Sequence, residues 1–173
     1  MSLNRMPLFV WAILATAFAI IFALPALTLD AILLELDRQF GTHFFDPQMG
    51  GSPLLWQHLF WVFGHPDVYI MFLPAVGIVS SIITVYSQRP VVGYTWLALA
   101  TVAIAFVGFG VWVHHMFAVG LPLLPTSFFA AASIVIVVPS GVQVFAWLAT
   151  VWTGRPRLDP PMMYVLGFIA VFV

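Results

Sequence analysis

The 173-residue sequence contains no cysteine and no lysine, and only 6% of its residues are charged. Without cysteine the chain has no disulfide, thiolate metal site or cysteine nucleophile, so imidazole is the main soft-metal ligand left apart from methionine. The basic residues are five arginines, set against six acidic residues, and the net charge is −1. This balance provides no basic surface for nucleic acid, and we expect no nucleic-acid partner.

Hydrophobic residues make up 63% of the sequence and are concentrated in long apolar segments. Such a composition is far from the globular average and is typical of a membrane protein. The segments lie at 7–29, 53–86, 93–117, 126–152 and 161–173. The first four are long enough to cross a hydrocarbon layer of ~30 Å, whereas the last covers about half of it. The sequence therefore predicts an all-α, polytopic transmembrane helix bundle in one domain over residues 1–173. It would have four full spans and a truncated fifth, as in a fragment of a longer chain.

The polar breaks between these segments predict how the chain is oriented. The break at 30–52 begins with Asp30 and looks like a helix end followed by an aqueous loop. Successive spans alternate in direction, so four arginines fall on one side of the membrane and only Arg38 on the other. The positive-inside rule then places the N-terminus in the cytoplasm.

Ionisable residues interrupt two of the apolar segments. His65 lies roughly 18 Å along a helix from the outer end of its span. The apolar stretch that holds the histidine pair continues through an uncharged loop to about Leu124, so His114 lies a comparable distance, roughly 15 Å, below the outer boundary. Three imidazoles at one depth in a membrane predict a functional site. Three neutral histidines suit copper or zinc, and a redox role would favour copper.

Each of these residues also has a purely structural interpretation. A single histidine in a span is often just hydrogen-bonded to a neighbour, and we expect this or an interfacial position for His58 and His43. An adjacent histidine pair matched in depth with His65 is harder to explain in that way. Tyr69 lies at i+4 from His65, on the same helix face. Asp67 lies about 200° round the helix, which favours a proton station over direct contact with that site.

Two stretches resemble a known family. They are residues 59–69, LFWVFGHPDVY, and residues 111–117, VWVHHMF. Both are similar to the copper-site helices of haem-copper oxidase subunit I of the cytochrome c oxidase (aa3) type. Residues 5–11, 40–42, 44–47 and 138–141 extend the resemblance over essentially the whole chain. It implies helices five to nine of a twelve-helix subunit.

The resemblance implies a specific site and activity. Copper (Cu B) would be held by His65, His114 and His115, with Trp112 as a further cofactor contact and Tyr69 covalently joined to His65. Two haems would have axial ligands outside this chain. The implied activity is reduction of O2 to water with electrons from cytochrome c or a similar donor, coupled to proton translocation. The implied partners are the remainder of subunit I, subunits II and III and the lipid bilayer, and the implied location is a bacterial inner membrane. The fragment alone would be inactive.

The sequence also departs from the family pattern, which points to a divergent branch. Asp67 stands where these oxidases usually have glutamate, and both residues would relay protons. Gln143 stands where a lysine usually serves a second proton path. An amide cannot carry a proton as an ammonium group can, so this path would use water held by Ser80, Ser140 and Gln143.

Two alternatives remain at this stage. A nitric oxide reductase of the same superfamily would carry iron in place of copper and typically extra glutamates, and Tyr69 with the single acid Asp67 counts against it. A truncated membrane protein without activity of its own is the other alternative.

Overall fold

The computed structural model describes residues 5–173, and over this range the chain is α-helical without strands. Six helices follow one another: α1 (Leu8–Phe40), α2 (Pro53–Tyr86), α3 (Tyr94–Gly108), α4 (Leu123–Val135), α5 (Val137–Thr153) and α6 (Pro160–Phe172). A 3-10 helix, Trp112–Val119, lies between α3 and α4 and is called the His-pair segment below. Four stretches are long and apolar enough to cross a membrane: Leu8–Phe40, Pro53–Tyr86, Tyr94–Val119 and Leu123–Thr153. The polytopic helix bundle expected from composition is confirmed.

α1 packs against α2 through a stripe of small residues. The buried apolar positions of α1 are alanines: Ala12, Ala15, Ala19 and Ala23. On α2, a Cβ added to Gly77 would lie only 2.9 Å from the Cβ of Ala12, so the two backbones approach closely. Small residues at such contacts are common in membranes, where van der Waals packing holds helices together. This contact fixes the position of the helix that carries His65.

α1 continues past the apolar segment predicted at 7–29 and ends at Phe40. The helix end expected at Asp30 is wrong, because Asp30 is buried inside the protein and the backbone hydrogen bonds of α1 continue past it. The 33 residues of α1 extend about 50 Å, more than a hydrocarbon layer requires. The helix terminates at Gly41, whose φ of 67° lies in the left-handed region that glycine adopts readily.

The third apolar stretch, predicted as one span at 93–117, is not a continuous α-helix. α3 ends at Gly108, and a tight turn follows in which the Gly110 amide donates to the Val107 carbonyl at 2.8 Å. The His-pair segment then continues as a 3-10 helix. Because a 3-10 helix has three residues per turn, adjacent side chains diverge by about 120°. His114 and His115 therefore leave the backbone in different directions.

The fourth stretch, predicted at 126–152, is interrupted at Ile136, between α4 and α5. The cause lies at Pro139, which has no amide hydrogen and whose ring is incompatible with a regular helix at the carbonyl of Val135. At the break the Ile136 amide donates to the Ser133 carbonyl at 3.4 Å, the i to i−3 pattern of a tightened turn. Ser133 thus lies in the last turn of α4, just before the interruption.

One end of the bundle is held together by polar contacts. Arg89 donates from Nη1 to the Thr153 carbonyl at 2.8 Å, which joins the turn after α2 to the end of α5. The Tyr94 hydroxyl donates to the Met6 carbonyl at 2.6 Å, which places the start of α1 at the same end. The long loop between α1 and α2 lies at the opposite end.

Candidate metal centre

Three histidines from two elements meet inside the bundle. His65 lies on α2, and His114 and His115 lie on the His-pair segment. One nitrogen of each imidazole lies within 4.8 Å of the others, and His65 Nδ1 is 3.0 Å from His115 Nε2. His65 is only 5% exposed. The structure therefore brings together the three histidines that the sequence analysis placed at one depth.

The spacing of these nitrogens fits a shared metal ion. Two nitrogens that each lie 2.0–2.1 Å from one ion are about 3 Å apart at ordinary ligand angles, and His65 Nδ1 and His115 Nε2 have this separation. Three protein ligands leave a coordination position for a reacting molecule, which distinguishes catalytic from structural sites. A set of three imidazoles without thiolate suits copper or zinc.

Ser133 sets the tautomer of His114. The Ser133 hydroxyl donates to the Phe129 carbonyl at 2.6 Å, so its oxygen can only accept from His114 Nδ1, 2.8 Å away. Nδ1 of His114 therefore carries the ring hydrogen, and Nε2 keeps the lone pair that a metal needs. Ser133 was not predicted from the sequence, since it lies on α4, before the helix break at Ile136, whereas the predicted Ser140 lies on α5.

Trp61 fixes the orientation of the His115 ring. The two rings are stacked, with centroids 4.1 Å apart and planes 3° from parallel. The Trp61 indole nitrogen donates to Gln57 Oε1 at 3.2 Å, which holds the indole in turn. Trp61 was not singled out from the sequence, but it lies four residues before His65 and so on the same face of α2.

Tyr69 lies beside His65. Their ring centroids are 4.5 Å apart, as the i+4 spacing predicted. A Cβ added to Gly108 would lie 2.8 Å from the Tyr69 ring, so the absence of a side chain on α3 makes room for it. His65 Nε2 is buried without a hydrogen-bond partner among the described residues. The His65 ring therefore packs against Tyr69 while its Nε2 makes no hydrogen bond to any described residue.

Two other predicted site residues lie outside the histidine cluster. The Trp112 indole nitrogen donates to His58 Nδ1 at 3.3 Å, and its ring packs edge-on against Phe129 with centroids 5.3 Å apart. Asp67 is half-buried on α2. The structure shows no hydrogen bond or ion pair for Asp67 within residues 5–173.

The three predicted proton-path residues occupy two places. Gln143 is 0% exposed and donates from Nε2 to Thr101 Oγ1 at 3.2 Å, while its Oε1 is buried and has no hydrogen-bond partner in the described part of the chain. Ser80 accepts from the Trp147 indole nitrogen at 3.0 Å. Ser140 instead lines a cavity of about 470 Å³ beside the histidine cluster, together with Tyr69, His114 and Ser133. Thr101 was not predicted, and a threonine in an apolar span gives little signal by itself.

The sequence that carries this cluster is similar to known proteins. The family model described as Cytochrome C and Quinol oxidase polypeptide I matches residues 1–173. The chain belongs to this family. It is 49% identical over 173 residues to cytochrome c oxidase subunit 1 of Bacillus sp. (strain PS3), which covers 100% of the chain and 28% of the relative. It is 48% identical over 172 residues to cytochrome c oxidase subunit 1 of Cereibacter sphaeroides, covering 99% of the chain and 30% of the relative.

These matches confirm the resemblance to haem-copper oxidases. They also confirm the expectation that the chain is a fragment of a longer subunit. The chain spans less than a third of the length of the curated relatives that it matches. Membership of this family implies haem and copper as cofactors, an oxidase complex around the subunit, and a multi-pass membrane location.

Ser133 provides a test of how His114 is held. Because its oxygen accepts the His114 Nδ1 hydrogen, Ser133→Ala should weaken the binding of a metal ion at the cluster by the 10- to 100-fold typical of lost outer-shell partners. Ser133→Thr keeps the hydroxyl and should bind the metal like the wild type. Metal retained per full-length subunit during titration with a chelator measures this. Equal retention in both variants would show that Ser133 does not control the ligand.

Proposed function

We propose that this chain is the copper-site portion of a terminal respiratory oxidase subunit I, which reduces O2 to water with electrons from cytochrome c and translocates protons. The observation that supports it most is the convergence of three imidazoles from α2 and the His-pair segment. The family supplies the reaction class, and the fragment would act only within the full subunit and its complex, with subunits II and III.

Each histidine has a separate task in this proposal. His65 Nδ1, His115 Nε2 and His114 Nε2 would be the copper ligands. Copper held by these nitrogens would supply an O2-binding site and electrons, and the haems would be held by helices outside this chain. Ser133 and Trp61 keep the His114 and His115 rings in the orientation that binding requires. The cavity of about 470 Å³ lined by Tyr69 and His114 leaves an open side for the missing helices.

The orientation of the chain follows from its arginines. Arg89 and Arg155 both make contacts between the turns after α2 and α5, at the end of the bundle where α1 starts. An arginine-rich end is characteristic of the cytoplasmic side. We therefore propose that the chain lies in a bacterial inner membrane. Its N-terminus would be in the cytoplasm, and the loop between α1 and α2 would lie outside.

Protons would reach the site from that arginine-rich end. Gln143 lies on α5 in a fully buried position with an unpaired carbonyl oxygen, and such an atom can accept a hydrogen bond from water. Thr101 holds the amide nitrogen of Gln143. Ser140 would continue the path at the cavity beside His114. Asp67, half-buried and without a hydrogen bond or ion pair among residues 5–173, would relay protons on a separate path.

Tyr69 would supply an electron and a proton for O–O cleavage, and the resemblance implies that it is joined to His65. The free, buried Nε2 of His65 and the adjacent Tyr69 ring support such a bond. Forming one C–N bond removes two hydrogens from the pair, with O2 as the oxidant. Mass spectrometry of a peptide containing both residues, from active full-length enzyme, should therefore show a loss of two hydrogens. An unmodified mass would remove the proposed Tyr69 role.

Metal analysis with an activity assay tests the proposed function as a whole. The purified complex with the full-length subunit should contain copper and consume O2 with reduced cytochrome c as donor. His115→Ala should abolish O2 consumption without preventing membrane insertion. Iron in place of copper, together with reduction of nitric oxide, would instead place the protein with the nitric oxide reductases.

A further inference from the structure

Asp30 is a buried acid that the proposed function does not use. It lies on α1 with 0% of its surface exposed, and neither carboxylate oxygen has a hydrogen-bond partner among residues 5–173. The other acids of α1 differ from it. Glu35 is exposed and accepts a hydrogen bond from Gln39, and Asp37 accepts hydrogen bonds from Thr42 and the loop backbone.

The helical period places Asp30 on the face of α1 that packs against α2. It lies 18 residues after Ala12, which corresponds to five full helical turns, so both side chains lie on the same face. Ala23, two turns before Asp30, is also on this face and is fully buried. The stripe of small residues that packs against α2 therefore ends in a carboxyl group that faces protein and not lipid.

The depth of Asp30 places it beyond the metal centre. Ala12 lies opposite Gly77. Because α1 and α2 run antiparallel with the same rise per residue, Asp30, which lies 18 residues after Ala12, is at the level of residue 59, which lies 18 residues before Gly77. That level is six residues from His65, or about 9 Å along the helix, toward the loop between α1 and α2. Ser80 lies fifteen residues from His65 in the other direction. Asp30 and the proposed entry path are thus on opposite sides of the histidine cluster.

A buried carboxyl group without partners is stable in a membrane protein mainly as the neutral acid, because an unpaired charge there costs several kcal/mol. On α2, His58 is the titratable residue next to position 59, and its Nδ1 accepts from the Trp112 indole nitrogen. Glu35 and Asp37 lie further along α1, toward the loop. If this position served only to fill the interface, alanine would fill it without the free-energy cost of burying an unpaired carboxyl group. Intramembrane acids in such positions commonly carry protons.

We propose that Asp30 is a proton-carrying group on the outer side of the metal centre, a role that rests on the proposed oxidase function. A proton arriving through water from the site side is taken up at one carboxylate oxygen after the proton already held has left toward the outer loop. The carboxyl group returns to its neutral form, and one positive charge has moved outward. The side chain acts as a relay and undergoes no other chemical change.

The test uses the complex with the full-length subunit reconstituted into vesicles. Asp30→Asn, which keeps the shape and removes the acid, should consume O2 and retain copper like the wild type but lose proton release to the outer medium. Asp30→Glu should restore release. Glu35→Gln, which changes an exposed acid on the same helix, is the matched control and should release protons normally.

Infrared difference spectra during turnover provide a second measurement. The wild type should show a carboxylic acid C=O band that is absent in Asp30→Asn, or in Asp30→Ser if the asparagine variant does not assemble. Normal proton release by an acid-free variant, or the same band in that variant, would overturn the proposal. Failure of the wild type to reduce O2 would instead contradict the proposed function itself.

Discussion

Replacing His114 with alanine in the full-length subunit should lower copper affinity by more than ~100-fold, beyond the loss expected for an outer-shell partner. His114 contributes one of only three nitrogens in the cluster, and its ring is held by Ser133 and by the neighbouring histidine rings, not by a tight apolar core. The variant should therefore insert into the membrane with its helices intact. The purified complex should contain one copper ion fewer than the wild-type complex, and O2 consumption should fall with it.

His58→Ala is the matched control for this result. His58 is also a histidine of α2, but it contacts Trp112 and lies outside the cluster. This variant should keep its copper. Full copper occupancy in His114→Ala, or equal copper loss in both variants, would show that the metal is held elsewhere.

Replacing Gln143 with leucine should slow reduction of the oxidised site by about tenfold. The substitution removes an unpaired buried carbonyl oxygen that can hold water, together with the hydrogen bond to Thr101. Loss of one such interaction from a proton path costs ~1.5 kcal/mol, and 1.4 kcal/mol corresponds to a factor of ten in rate. Stopped-flow reduction of the oxidised complex measures this rate, and copper occupancy should stay at the wild-type level.

Gln39→Leu changes an exposed glutamine at the outer end of α1 and should leave the rate unchanged. Unchanged kinetics in Gln143→Leu would mean that the path is absent, and that protons enter by way of Asp67. A loss of copper in Gln143→Leu would point to a structural role for the buried amide.

Much of the bundle follows from simple features of the sequence. The second predicted span, 53–86, covers the same residues as α2, because Pro53 can begin a helix and the apolar run continues to Tyr86. The proximity of His65 to the histidine pair follows from counting residues. Each site lies a similar number of residues from the outer end of its apolar stretch, and the rise of a helix converts these numbers into similar depths. The position of Tyr69 beside His65 needs only the i+4 rule.

The interruptions and the outer shell of the site required the structure. Hydropathy does not distinguish an α-helix from a 3-10 helix, so the sequence did not reveal that the His-pair segment is wound differently from α3. Ser133 lies on a different element from the histidine that it holds, and a lone serine in an apolar run has no distinctive pattern. The burial of Asp30 depended on α1 extending beyond the predicted span.

X-ray absorption at the copper edge of the purified complex, with the full-length subunit, tests the central claim most directly. The proposal predicts one copper site with three imidazole nitrogens at about 2.0 Å, and one nitrogen fewer in any copper that His114→Ala retains. Spectra of the wild type without a three-imidazole copper contribution, or a His114→Ala spectrum identical to that of the wild type, would contradict the assignment of His65, His114 and His115 as copper ligands.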